Sequence, residues 1–164
     1  PKEDKEELGQ DGWVEGAFNA KEALGCSSVK DTINKLNEII RNNAKFRTDE
    51  RLEFIEGFYN QSLTDTVIEE KALGAALYVD VDCDLYCSTI DCMDWMFKKN
   101  LIVPGTLIGY DDWGGTPGWF ANIDGESRAH AELCEKYKVR ARKVFQSGNR
   151  YPHIQTLFVV ESIG

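Results

Sequence analysis

The sequence predicts an α/β fold of three layers, in which a mostly parallel sheet lies between helices and ends in an antiparallel hairpin. Two unbroken apolar runs, at 74–82 and 106–111, are typical of strands that are buried on both faces. Helical patterns stand between and around these runs, which is the alternation of an α/β fold. Two strand-like segments, 140–145 and 154–161, follow near the end of the chain, and their short connection predicts an antiparallel pair.

The remaining elements follow from capping residues and apolar spacing. The segment Cys26-Ser27-Ser28 offers an N-cap for a helix predicted over about 28–44, where apolar residues recur at helical spacing. The alternation over 51–58 predicts a short strand, and 60–70 is expected to hold a short helix. Ser88 can cap a helix that runs to about residue 99, and a further helix is predicted over 126–137.

The composition predicts a single globular domain over 1–164. The chain has 164 residues, of which 42% are hydrophobic and 29% charged, as in ordinary soluble domains. The net charge of −9 argues against a nucleic-acid partner, and no stretch of the sequence is suited to a membrane. Five cysteines match no zinc spacing, so they are interpreted as buried thiols in a reducing compartment, and a cytoplasmic location is expected.

Both apolar runs end in acidic residues. Asp80, Asp82 and Asp84 close the first run, and Asp111 and Asp112 close the second. Because parallel sheets bind ligands outside the carboxyl ends of their strands, acids from two neighbouring strand ends are expected to meet at one rim. Carboxylates are ligands for Mg²⁺, which would polarise a substrate hydroxyl there. The alternative is that these acids only cap helices and turns.

The residues around these acids resemble a known family. Residues 82–89 read Asp-Cys-Asp-Leu-Tyr-Cys-Ser-Thr, and residues 104–113 read Pro-Gly-Thr-Leu-Ile-Gly-Tyr-Asp-Asp-Trp. Together they resemble the macrocin O-methyltransferase family, class I enzymes that use S-adenosylmethionine. Further matches are the segment from Glu56 to Leu63 and the sequence Gly-Glu-Ser-Arg-Ala at 125–129. The resemblance implies a Rossmann-like methyltransferase sheet.

The resemblance also implies an activity and a site. The activity is Mg²⁺-assisted O-methyl transfer from S-adenosylmethionine to a hydroxyl of a small molecule or glycoside. Magnesium would bind Asp82, Asp111 and Asp112, and Asp82 would serve in catalysis. The loop of Gly57, Phe58 and Tyr59 is implied to lie near the adenine of the cofactor. Asp84 is expected to fix the turn into the next helix, and Asp80 has no counterpart in the family pattern.

One part of the family pattern is missing from the sequence. A glycine-rich turn after the first strand and an acid after the second bind the cofactor in class I methyltransferases, and neither is found here. The chain therefore resembles the C-terminal two thirds of such an enzyme, lacking the first strands. It is interpreted either as a piece of a longer protein or as a degenerate relative. An exposed sheet edge would favour a homo-oligomer or a partner chain.

Two other functions fit parts of the pattern. Asp80-Val81-Asp82 and Asp82-Cys83-Asp84 both satisfy the Asp-x-Asp metal motif of nucleotide-sugar glycosyltransferases, although that motif leaves the pair at 111–112 unexplained. A partial methyltransferase fold can also act as a non-catalytic binding or assembly subunit. Either of the two histidines, His130 and His153, could act as a base, but both are interpreted as surface residues.

Overall fold

The chain is represented by a computed structural model that describes residues 19–43, 52–83, 85–114, 125–147 and 154–164. These residues fall into two compact units, one that ends at Glu56 and one that begins at Gly57. The acidic residues described above belong to the second unit, whereas the helix predicted over 28–44 belongs to the first.

The first unit contains helices α1 (Ala20–Ala23) and α2 (Val29–Asn43). The Ser28 hydroxyl accepts a hydrogen bond from the backbone N–H of Asp31 at 3.1 Å, so the predicted cap and helix are confirmed. The predicted strand over 51–58 is wrong for residues 52–58, which form no strand. Alternating residues form a strand only where their backbone groups can pair with a neighbour, and none of the described ladders includes this segment.

The second unit is built on a sheet of four described strands in the order β1-β2-β4-β3. The strands are β1 (Tyr78–Val81), β2 (Leu107–Tyr110), β3 (Arg140–Gln146) and β4 (Thr156–Ser162). β1 pairs with β2 in parallel, whereas β4 runs antiparallel to both β2 and β3. The predicted hairpin is confirmed. The described sheet is mixed rather than mostly parallel, because β4 lies between β2 and β3 and makes two antiparallel ladders.

The helices of the second unit follow the predicted order with shifted ends. Residues 60–70 hold two short helices instead of one, and the helix predicted from Ser88 begins earlier, with Leu85 at its N-cap and Ser88 inside it. The four helices are α3 (Tyr59–Ser62), α4 (Asp65–Glu70), α5 (Tyr86–Lys98) and α6 (Gly125–Lys136). Among the described residues, none of the helices is long and apolar enough to cross a membrane.

The core lies between one face of the sheet and helices α5 and α6. Val79 and Val81 of β1 are buried, whereas Tyr78 and Asp80 are exposed, so β1 is not buried on both faces as predicted. Both layers contribute buried residues to this core, among them Val81, Ile108, Phe158 and Val160 of the sheet and Met93, Phe97 and Leu133 of the helices. The face that carries Tyr78 and Asp80 is directed away from this core.

Gly109 of β2 lies directly beneath Tyr78, and a Cβ atom at this position would overlap the Tyr78 hydroxyl. That hydroxyl donates a hydrogen bond of 2.7 Å to Asp80, so relieving the overlap would break the bond. Because Tyr78 is exposed and its ring can move aside, we expect Gly109→Ala to lower the free energy of unfolding by no more than about 1 kcal/mol, the contribution of one hydrogen bond. In a Tyr78→Ala background the same change should cost less, and urea unfolding of the four proteins measures the difference.

Gly74 provides the matched control. An added Cβ there meets no atom within 4 Å, so Gly74→Ala should leave the free energy of unfolding nearly unchanged. An equal cost of Gly109→Ala with and without the Tyr78 ring would show that the overlap is not what this glycine avoids.

Candidate functional site

The acids that follow β1 and β2 emerge at the same edge of the sheet. The parallel register pairs Val81 with Tyr110, so Asp82 and Asp111 are the next residues on each strand. The backbone N–H of Asp111 donates to the carbonyl of Val81 at 3.1 Å, which extends the pairing into the acidic loops. The register of two strands therefore sets where these acids lie.

Three of the acids form a cluster, which we call the acidic triad: Asp82, Asp111 and Asp112. Each offers one carboxylate oxygen, and the three oxygens lie within 4.8 Å of one another. Asp82 is exposed, Asp111 is half-buried and Asp112 is buried. The structure thus brings together the three predicted ligands, with one side of the cluster open to solvent. An all-oxygen set of this kind fits Mg²⁺, which prefers a few carboxylates and keeps waters or substrate oxygens as its other ligands.

Neighbouring side chains fix the two more buried members. The side-chain amide of Gln155 donates a hydrogen bond to the carboxylate of Asp111. The backbone N–H of Asp112 donates to Glu126 Oε2 at 3.0 Å, and the backbone N–H of Cys83, next to Asp82, donates to Glu126 Oε1 at 3.2 Å. The sequence did not identify Gln155 or Glu126 as part of the site. An acid in the first turn of a helix is ordinarily explained by the helix dipole, and Gln155 has no distinguishing pattern around it.

The predicted cofactor loop lies partly beside the acidic triad. Gly57 has φ +122°, which favours glycine at the turn into α3. Phe58 is 68% exposed, and Tyr59 opens α3. The Cys83 thiol donates a hydrogen bond to the Tyr59 hydroxyl at a distance of 3.6 Å, so Tyr59 reaches the loop that carries Asp82. Burial, with Cys83 nearby, raises the pKa of Tyr59. The contact of this loop with a cofactor stays a prediction.

The other acids of the first run are placed differently. Asp80 lies on β1, accepts a hydrogen bond from Tyr78 and does not belong to the acidic triad. Asp84 lies outside the described residues.

A cleft of about 300 Å³ lies beside the acidic triad, and both Asp80 and Asp111 line it. Its lining also includes Tyr78, Gly109, Tyr110, Phe145, Gln155, Thr156 and Leu157.

His130 is not the surface residue that the sequence suggested. Its ring stacks on Phe158 with centroids 4.3 Å apart, and its Nδ1 lies 2.9 Å from the Tyr110 hydroxyl. Trp113, directly after the acidic triad, packs against the same histidine with ring centroids 5.1 Å apart. Burial lowers the pKa of His130 to about 4, so its ring is neutral at pH 7. His153 lies outside the described residues.

All five cysteines are free thiols: Cys26, Cys83, Cys87, Cys92 and Cys134. Burial raises the pKa of Cys92 to about 12, with Cys83 and Asp91 adding to the shift. A thiol in such surroundings is a poor nucleophile, although all five cysteines are half-buried rather than buried as the sequence predicted.

Comparisons with known proteins bear on the family and the fold of the chain. The solved structure of a TDP-rhamnose 3′-O-methyltransferase (CalS11, apo form), an enzyme of calicheamicin biosynthesis, is similar in fold with a TM-score of 0.55 at 14% sequence identity. The match covers 81% of this chain and 54% of that one, so the chain spans about half the length of that enzyme. No curated protein sequence gives a significant match. The family model of macrocin O-methyltransferase (TylF) matches residues 25–136, which is more than half of the chain. The chain therefore belongs to the macrocin O-methyltransferase family.

Proposed function

We propose that this chain carries the metal-binding part of an S-adenosylmethionine-dependent O-methyltransferase, which transfers a methyl group to a hydroxyl of a small molecule or glycoside. The observation that carries the proposal is the convergence of Asp82, Asp111 and Asp112 at one sheet edge within 4.8 Å. Membership of an O-methyltransferase family supports the same chemistry.

The acidic triad suits Mg²⁺ in donor type and in exposure. Asp112 is 4% exposed and its backbone is anchored to Glu126, so it offers a fixed ligand. Asp82 is exposed, which leaves room beside it for waters and an acceptor hydroxyl. When bound, Mg²⁺ supplies positive charge that lowers the pKa of a coordinated hydroxyl and orients it. Asp82 is the residue of the acidic triad that we assign to contact the acceptor.

The chemistry also requires a methyl donor. S-adenosylmethionine would supply the methyl group, so that an oxygen–carbon bond forms as a sulfur–carbon bond of the cofactor breaks, and an acidic side chain or a bound base would take the hydroxyl proton. We assign Gly57, Phe58 and Tyr59 to the cofactor side of the site, because the exposed Phe58 ring offers a face on which an adenine can stack. Tyr59 supports this position, since its hydroxyl already contacts Cys83 beside Asp82.

The glycosyltransferase reading has less support. It assigns a metal to Asp80 and Asp82, yet Asp80 bonds to Tyr78 and does not join the acidic triad. It also leaves the convergence of Asp111 and Asp112 without a role.

Calorimetry with S-adenosylhomocysteine and Mg²⁺ tests the proposal, applied to this chain and to a longer form of the protein where the gene encodes one. We expect Mg²⁺ to bind both forms and S-adenosylhomocysteine to bind the longer form. If the longer form binds neither ligand, the methyltransferase proposal fails, and the result would favour a non-catalytic subunit. Tight binding of a UDP-sugar with Mn²⁺ would favour the glycosyltransferase instead.

A further inference from the structure

Glu126 is an acidic side chain in the interior of the protein. It lies in the first turn of α6 and is 0% exposed. An ionised carboxylate is expensive to remove from water unless polar partners replace its hydration. A residue of this kind at a buried position therefore requires a specific set of donors.

Two of its donors are backbone groups of the two loops that carry the acidic triad. One carboxylate oxygen, Oε1, accepts from the N–H of Cys83 at 3.2 Å, and Oε2 accepts from the N–H of Asp112 at 3.0 Å. Cys83 directly follows Asp82, and Asp112 is itself a member of the acidic triad. The two oxygens of one side chain thus connect the loop after β1 with the loop after β2.

The connection is short and directional. Hydrogen bonds from backbone N–H groups to a carboxylate are charge-assisted, and they are stronger than bonds between neutral groups. The N-terminal turn of the 12-residue helix α6 adds a favourable dipole for the negative charge. The backbone pairing of β1 with β2 ends at the bond from the Asp111 N–H to Val81. Beyond this bond, the side chain of Glu126 connects the two loops.

We infer that Glu126 is a positioning residue, which holds the loops after β1 and β2 at the separation that lets Asp82, Asp111 and Asp112 converge on one cation. This inference rests on the proposed metal site. It assigns to Glu126 no contact with the metal or with the substrate. Its effect on the cation is transmitted through the backbone at Cys83 and Asp112.

Glu126→Gln tests the inference, because glutamine has nearly the same size but only one acceptor oxygen. Its NH₂ group would face one of the two backbone N–H groups, so one loop would lose its anchor. We expect the affinity for Mg²⁺, measured by calorimetry on the chain, to fall about 10- to 100-fold, as when residues that orient metal ligands are changed. Amide hydrogen exchange should become faster at Cys83 or Asp112.

Two substitutions on the same helix serve as controls. Glu132→Gln removes the same charge from an exposed side chain that bonds to Tyr86 and Arg128, and it should leave Mg²⁺ affinity unchanged. Leu133→Ala removes buried packing in α6, so it lowers stability without touching either loop. Its Mg²⁺ affinity should stay at the wild-type value at temperatures where it is folded.

The outcomes separate the inference from the proposed function. Absence of Mg²⁺ binding by the unmodified chain would overturn the metal site. Equal Mg²⁺ affinities for the unmodified chain and Glu126→Gln would overturn the positioning role alone. If Glu126→Gln does not fold, amide hydrogen exchange of the unmodified chain still tests the positioning role. Fast exchange at the amides of Cys83 and Asp112 would contradict their anchoring by Glu126.

Discussion

Asp82→Ala is expected to weaken Mg²⁺ binding by at least about 10-fold, because it removes one of the three proposed ligands of the ion. Changes to residues that merely orient metal ligands cost about 10- to 100-fold, so loss of a ligand should cost no less. Asp82 is exposed, so its removal should leave the free energy of unfolding nearly unchanged. Calorimetric titration of the chain with Mg²⁺ measures the effect.

Asp80→Ala is the matched control for this change. Like Asp82→Ala, it removes one negative charge from a protein of net charge −9. Asp80 is also exposed, and it lies two positions before Asp82. Any general weakening of cation binding would therefore appear in both variants. Asp80 lies outside the acidic triad, so its replacement should change the affinity far less. Equal losses in the two variants would remove Asp82 from the ligand set.

The acidic triad is the part of the site that the sequence predicts best. Its members directly follow two apolar runs, and neighbouring parallel strands place the residues after their ends at one edge. That argument needs only the order of residues and the direction of the two strands. Glu126 was not predictable in this way, because its partners Cys83 and Asp112 become its neighbours only when α6 packs against the sheet edge.

The fold was predicted well where local pattern decides it and poorly where pairing decides it. Helix α2 begins after the predicted cap at Ser28, since capping is a local interaction. The segment 52–58 has a strand-like alternation but no ladder among the described residues, and β4 takes a place in the sheet that no local pattern specifies. The first apolar run also contributes only four residues to β1, and its Tyr78 and Asp80 face outward.

The position of His130 also depends on contacts that no local pattern specifies. The structure packs the histidine against Phe158 and Trp113, both of which are distant in sequence. Tyr110, whose hydroxyl lies beside the His130 ring, belongs to β2. Contacts from two other segments, residues 110–113 and β4, bury this side chain, and we expect them to make the stability of the protein depend on pH.

We expect the protein to lose stability as the pH falls from 7 to 5, and His130 to cause most of the loss. Burial lowers the pKa of His130 to about 4, whereas the ordinary value is 6.5. Between these values the unfolded chain binds a proton that the folded chain does not, so stability rises with pH in this window and falls on acidification. A shift of this size corresponds to roughly 3 kcal/mol in total, of which about 2 kcal/mol falls between pH 7 and pH 5.

Urea unfolding at pH 7 and pH 5 measures this loss, and His130→Gln should reduce it strongly. The variant will be less stable at pH 7, because it loses the stacking on Phe158, but it has no group at this position to protonate. Cys134→Ala is the control, since it removes the thiol 3.4 Å from the ring and keeps the histidine. Asp94 affects stability at lower pH. Burial raises its pKa, but hydrogen bonds with Lys136, Lys98 and Tyr137 lower it further, to about 2, so the stability that Asp94 contributes is lost only below about pH 4. A loss between pH 7 and pH 5 that is as large in His130→Gln as in the unmodified protein would assign the acid sensitivity to other groups.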